Sequence, residues 1–269
     1  MTDAIKWNAA KIKALKGKQA IACLTAYDFF TGRLADEAGL PLILVGDSLG
    51  MTTLGYENTL PVTLEQMLHH GAAVARAVKS ALVVGDMPFM SYQVSREQAL
   101  ENAGRFLKEG GVGAVKLEGG AMRAETIKAL VDNGIPVLGH IGLTPQSIRE
   151  MGGYKVQGRK PAEAKRLIAD ARSLEKAGVF AIVVECVPAG LGAELTKAVQ
   201  VPIIGIGAGP SCDGQILVVN DMLGLTPAES TPKFVKRYAE MGDAMRQAVA
   251  AYRGDVESGR FPDKTQSYS

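Results

Sequence analysis

The chain has 269 residues, 47% of them hydrophobic, with 30 Lys plus Arg against 28 Asp plus Glu and a formal charge of +2. That is enough to bury a large core, in one barrel-sized domain or two smaller ones, and the charge balance argues against a nucleic-acid partner. Three cysteines, Cys23, Cys186 and Cys212, show no zinc or redox spacing, and their odd number argues against a disulfide framework, so a reducing, cytoplasmic setting is expected.

At the amino terminus, MTDAIKWNAAKIKALKGKQ scatters lysines and lacks the apolar stretch of a secretory signal. A helix is expected from about Ala4 to Leu15, within a segment 1–18 that covers the base of the fold. No later apolar run reaches the roughly 18 residues of a membrane span, so none is expected.

From there one phrase recurs, a helical pattern ending at glycine and then a short apolar run: EAGLPLILVGD, KEGGVGAVKLEGG, DNGIPVLGH and KAGVFAIVVE. Gly39, Gly110, Gly134 and Gly178 suit the left-handed position that ends a helix, and the unbroken apolar runs suit parallel strands buried on both faces. Such runs lie near 19–25, 41–46, 81–85, 113–118, 136–140, 180–185, 202–206 and 216–220. Between them, LEQMLHHGAAVARAVK and EQALENAGRFLKEG read as helices, entered through capping-box patterns at Thr63 with Gln66 and Ser95 with Gln98. A last helix is expected from about Pro232 to Tyr252, its stripe of Phe234, Val235, Tyr238, Met241, Met245 and Ala248 closing the outer ring. The polar stretch 253–269 is expected along the surface.

Eight such units in one domain, 1–269, is the arithmetic of a (β/α)8 TIM barrel. A doubly wound open sheet is the runner-up; GIGAGP, at 205–210, comes too late in the chain and does not match G-x-G-x-x-G.

In a barrel, chemistry gathers at the carboxyl ends of the strands. There the chain places Asp47 and Ser48, Asp86, Lys116 and Glu118, His140, and Glu185. Lys116 and Glu118 are two apart, so the pleat points both to one side. Several acids and a lysine around one mouth need pairing or a cation, and oxygen donors without zinc-type Cys or His pairs point to a hard ion such as Mg2+. Such a rim suits enolisation of a 2-oxo acid: a cation and a lysine stabilise the enolate while a carboxylate removes the carbon-bound proton.

The stretches TAYDFFTGRLADEAGLPLILVGDSLGM, LPVTLEQM, DMPFMSY, VKLEGG, GHIGLTPQS, GGYKVQGR, ECVP and GIGAGPSCDGQILVVND resemble the 3-methyl-2-oxobutanoate (ketopantoate) hydroxymethyltransferases, from about Ala20 to Leu225. The resemblance implies a (β/α)8 barrel that uses Mg2+, one per subunit, and takes a one-carbon unit from 5,10-methylenetetrahydrofolate to make 2-dehydropantoate, towards pantothenate and coenzyme A. It implies metal ligands at Asp47 and Asp86 with Glu118 near the ion through water, substrate contacts at Asp47, Ser48, Asp86, Lys116 and His140, and the catalytic base at Glu185. It also implies a large homo-oligomer, a decamer being expected. The folate donor rests on the resemblance alone.

Three rivals remain to be weighed against the structure. GDSLG contains G-x-S-x-G, which would make Ser48 a hydrolase nucleophile, but no histidine follows His140 and no immediate helix is expected after Gly50. A Mg2+-dependent lyase like the isocitrate lyase and phosphoenolpyruvate mutase group would want a catalytic cysteine in a glycine-flanked loop, which neither Cys186 nor Cys212 offers. A non-catalytic barrel could hold an anion at GIGAG, although those glycines suit close helix-to-strand packing.

Overall fold

The computed structural model of the chain describes residues 5–268, so the first four residues of the expected amino-terminal segment, Ala4 of its helix among them, and the last residue of the expected tail lie outside the described residues. The chain divides after Val218 into two compact units.

In the first unit eight parallel strands close into a barrel in chain order. They are β1 (Ile21–Thr25), β2 (Leu42–Val45), β3 (Leu82–Asp86), β4 (Ala114–Glu118), β5 (Val137–Gly142), β6 (Ala181–Glu185), β7 (Ile203–Ile206) and β8 (Gly214–Leu217). β2, β3, β4, β5 and β7 are buried at every position, as strands with side chains inside the barrel and under the helices must be. Each helix returns the chain to the barrel's amino end, so all carboxyl ends open on one face.

Three sequence expectations need correction here. β8 starts two residues earlier than the apolar run at 216–220 suggests, because Gly214 leaves room for the Ile21 carbonyl, which an added Cβ would meet at 2.4 Å. In KEGG the left-handed residue is Gly111 (φ 65°) and not Gly110, whereas Gly39, Gly134 and Gly178 do take positive φ. Of the two expected capping boxes only one is complete. Thr63 and Gln66 exchange both bonds at the start of helix Leu64–Ala77. Ser95 accepts from Gln98 N (3.1 Å) to open helix Arg96–Lys108, but the Gln98 amide turns instead to Val94 N and to the carbonyl of Met90.

The amino-terminal helix is shorter than expected, Ala9–Lys13, capped by Asn8. Trp7 N donates to Ser80 O (2.7 Å) and Lys16 Nζ pairs with Asp213 (2.7 Å), so this segment does reach the amino ends of β3 and β8.

In the second unit the long helix runs Met241–Glu257, not Pro232 to Tyr252, and so takes in the first residues of the expected tail. Tyr238 N and Met241 N donate to the carbonyls of Met222 and Leu223, which diverts residues just before it from helical pairing. None of its residues is buried: Met241, Met245, Val249, Tyr252 and Val256 are exposed.

Candidate active site

Parallel register assembles the rim. Asp86 lies beside Lys116, Glu118 beside His140, and Glu185 beside Gly142. Asp47 follows β2 by two residues. All seven residues expected from the sequence fall at the carboxyl ends of β2 to β6, and four of the acids' and bases' neighbours follow from strand pairing alone.

Lys116 Nζ donates to Asp86 Oδ1 at 2.7 Å and lies 3.8 Å from Glu118 Oε1, the same-side placement expected from their spacing. Burial disfavours this ammonium, but Asp86, Glu118 and Asp47 outweigh it and hold its pKa well up, so it stays charged. Asp86 Oδ2 accepts from Asp47 N (3.1 Å), which fixes the turn after β2. Burial, then repulsion from Asp86 and Glu118, push the Asp47 carboxyl well above the usual range despite Lys116 and a bond from Gln146. Burial also penalises the Glu118 carboxylate, but His140 and Lys116 outweigh it and bring its pKa down.

His140 bridges two acids, with Nδ1 3.4 Å from Glu118 Oε1 and Nε2 3.2 Å from Glu185 Oε2. Neither approach has the geometry of a full hydrogen bond. Burial and Lys116 work against protonation, yet the two carboxylates raise the imidazole to about 9. Glu185 differs from the other acids in access: its side chain is 17% exposed, against 2% and 3% for Asp86 and Glu118. Gly142, at φ 94°, lets β5 approach it, since a Cβ there would lie 2.2 Å from Glu185 O.

Ser48 Oγ lies 2.8 Å from Tyr27 OH, which in turn accepts from Thr25 Oγ1 (3.0 Å). A one-turn helix, Leu49–Thr52, does follow Ser48 directly, contrary to expectation, so the strand–turn–helix outline of a nucleophile elbow exists. Its base does not: His70 Nδ1 contacts the Tyr27 carbonyl and His140 faces the two glutamates, leaving Ser48 with no imidazole partner among the described residues. GIGAG is packing: a Cβ on Gly209 would meet Ala189 at 2.5 Å, and one on Gly205 would meet Cys212 Sγ at 2.9 Å. All three thiols are free, and burial pushes Cys23 and Cys186 up to about 12, so neither is a ready nucleophile.

The sequence reading passed over four residues. Gln146 and Tyr92 are buried in the midst of the carboxylates, Tyr27 supports Ser48, and Tyr154, bonded to Met51 Sδ, has its phenol raised by burial and then by the charges of Glu185, Asp47 and Glu118. All four stand in the quoted motifs, and Tyr27 follows a strand end, so inspecting phenols as well as charges there finds it.

Could this site hold Mg2+? No three His, Cys, Asp or Glu side chains converge as a ready-made cage among the described residues. Mg2+ needs none, because it keeps several waters and takes one or two protein carboxylates. Asp47 Oδ1 accepts no hydrogen bond among the described residues, and Glu118 Oε1 is buried without one. Uncommitted oxygens on mutually repelling acids are what a hard cation would relieve, so the donor set fits.

The family model described as Ketopantoate hydroxymethyltransferase matches residues 6–264. The protein named 3-methyl-2-oxobutanoate hydroxymethyltransferase from Clostridium novyi (strain NT) is 57% identical, covering 95% of this chain and 93% of its own. Its namesake from Syntrophomonas wolfei subsp. wolfei is 53% identical over 94% and 92%. Among solved structures, phosphoenolpyruvate phosphomutase from Streptomyces platensis subsp. rosaceus superposes with TM-score 0.61 at 16% identity, covering 94% of this chain and 88% of that one. A 2,3-dimethylmalate lyase of the PEP mutase/isocitrate lyase superfamily gives 0.59 at 16%, over 97% and 89%. At that identity the last two speak for the barrel fold only.

Proposed function

The chain belongs to the ketopantoate hydroxymethyltransferase family, and from that premise we propose that it moves the one-carbon unit of 5,10-methylenetetrahydrofolate onto C3 of 3-methyl-2-oxobutanoate, giving 2-dehydropantoate. The observation that carries this reading is a single accessible carboxylate, Glu185, on a rim of otherwise buried charges.

Glu185 acts as the base. His140 lies against its Oε2, while Oε1 has no hydrogen-bond partner among the described residues and is available to take the C3 proton. Lys116, kept charged by its acids, offsets the negative charge that develops on the oxo acid. Ser48, steadied by Tyr27, offers its hydroxyl to the substrate. The carbanion then forms a bond to the folate's methylene carbon as the first of its two methylene–nitrogen bonds breaks, that nitrogen taking the proton that Glu185 removed; water then displaces the second nitrogen, supplying the hydroxyl to the carbon and a proton to that nitrogen. Mg2+, one per subunit, would be held by Asp47 and Asp86 with Glu118 beside them, and would supply Lewis-acid polarisation of the oxo acid.

We infer a cytoplasmic homo-oligomer. The exposed stripe of Met245, Val249, Tyr252 and Val256 supports association with further copies, as the decamer implied by the resemblance requires, and sedimentation velocity tests it. No described helix is long and apolar enough to cross a membrane.

The deciding measurement is exchange of the C3 hydrogen of 3-methyl-2-oxobutanoate in D2O, followed by NMR with Mg2+ and then with EDTA. Metal-dependent exchange is expected. No exchange under any metal or folate condition sinks the mechanism, and exchange surviving in Glu185→Gln moves the base elsewhere.

A further inference from the structure

Gln146 follows β5 by four residues, in a 3-10 turn (Pro145–Ser147), and is 5% exposed. An uncharged amide buried among carboxylates must be hydrogen-bonded or it costs stability. Here every polar position is used. Nε2 donates to Asp47 Oδ2 (3.0 Å) and to the carbonyl of Met87 (2.9 Å). Oε1 accepts from Tyr92 OH (2.7 Å) and Gln93 Nε2 (3.2 Å). The main-chain N–H donates to Glu118 Oε2 (3.0 Å).

The amide can sit only one way. Turned over, its oxygen would face the Asp47 carboxylate and the Met87 carbonyl, and its NH2 would face the Gln93 amide nitrogen, so attractive contacts would become repulsive. Tyr92 locks the orientation. Its hydroxyl has one proton and two acceptors in reach, Gln146 Oε1 at 2.7 Å and the Glu118 carbonyl at 3.3 Å; the shorter contact to Gln146 takes the proton, and the oxygen accepts from Glu118 N (3.2 Å). A directed chain therefore runs from the Glu118 N–H through the Tyr92 hydroxyl and the Gln146 amide to Asp47.

The consequence is which oxygens remain free. Gln146 occupies Asp47 Oδ2 with its side chain and Glu118 Oε2 with its main chain; among the described residues Asp47 Oδ1 and Glu118 Oε1 are left without a hydrogen bond, the latter facing the charges of Lys116 and His140. We propose that Gln146, oriented by Tyr92, is a positioning residue that sets which oxygens of Asp47 and Glu118 face the cation and the oxo acid. This rests on the Mg2+ reading above and adds to it a residue that touches neither reactant.

The test reads metal affinity directly. Mn2+ binding to metal-free protein is measured by EPR and Mg2+ binding by calorimetry, for wild type, Gln146→Met, Tyr92→Phe and the double variant, each checked for fold by circular dichroism. Gln146→Met keeps the length and removes the donors, so affinity is expected to fall about 10–100-fold, the range for lost outer partners of metal ligands. Tyr92→Phe should weaken binding less. The double variant should be no worse than Gln146→Met alone, because Tyr92 acts through the amide; a role in packing alone would give additive losses or none. If Gln146→Met does not fold, Tyr92→Phe still decides, since it removes a single oxygen. Wild-type binding with folded variants binding equally well overturns the inference and leaves the metal reading standing; absence of binding in the wild type overturns both.

Discussion

The two ends of the barrel use acids in opposite ways. At the amino end, Asp213 accepts from Lys16 Nζ (2.7 Å), Ile203 N (2.8 Å) and Gly17 N (3.3 Å), and Asp36 accepts from the backbone N–H groups of Lys79, Ser80 and Ala81. Both oxygens of each are taken. At the carboxyl end, Asp47 Oδ1, Glu118 Oε1 and Glu185 Oε1 lack hydrogen-bond partners among the described residues, although two of these three side chains are buried. Satisfied acids brace the backbone between strands, whereas acids with spare lone pairs are costly unless something binds them. Incomplete satisfaction, more than charge, marks the working end.

The contrast breaks most sharply at Glu185. Glu185→Gln should lower the rate of C3 exchange by about 10²–10⁴-fold, the range for a lost general base, with an unchanged thermal melting curve. Asp47→Ala should abolish turnover at millimolar Mg2+; recovery of full activity there would show that the metal is held elsewhere. At the other end the effect should move from rate to stability. Asp213→Ala removes the carboxylate partner of the half-buried Lys16, leaving it only the Thr196 carbonyl, and strands two backbone donors, so it should cost on the order of 3 kcal/mol in urea denaturation, with kcat of the folded fraction retained. A large loss of kcat there would erase the division between the two ends.

The barrel was legible because its signals are local and repeated: short apolar runs come eight times, and four of them follow a helical pattern that ends at glycine. The rim was legible because strand ends share one face, so charge at those positions converges without any long-range prediction. What escaped depends on contacts that no local pattern encodes. Gln146 sits in a turn, and an amide there reads as solvated until Asp47, Met87, Tyr92 and Gln93 are seen around it. Residues 232–240 carry a helical period, but Tyr238 N and Met241 N go to Met222 and Leu223 carbonyls, a tertiary choice that overrides it.

Within the rim the same contrast ranks two weaker substitutions. Ser48 touches Tyr27 through one neutral hydrogen bond and, on the mechanism proposed above, would contribute one more to substrate, so Ser48→Ala should raise KM about fivefold, the worth of one such bond, and keep most of kcat. Were Ser48→Ala to abolish turnover while Asp47→Ala kept it, the serine of GDSLG would regain its claim as nucleophile. The smallest effect belongs to Cys186. It follows Glu185 directly in a left-handed conformation (φ 49°). Burial, then the Glu185 charge, raise its thiol to about 12, so at neutral pH about one thiol in 10⁵ is ionised. Its main-chain carbonyl instead accepts from Gln157 N (2.8 Å), a bond that any side chain permits. Cys186→Ala should therefore leave kcat within about twofold, and iodoacetamide at pH 7 should label it slowly without inactivating the enzyme. Loss of activity on that alkylation, absent in Cys186→Ala, would place a working thiol beside the base and return the rim to lyase-type chemistry.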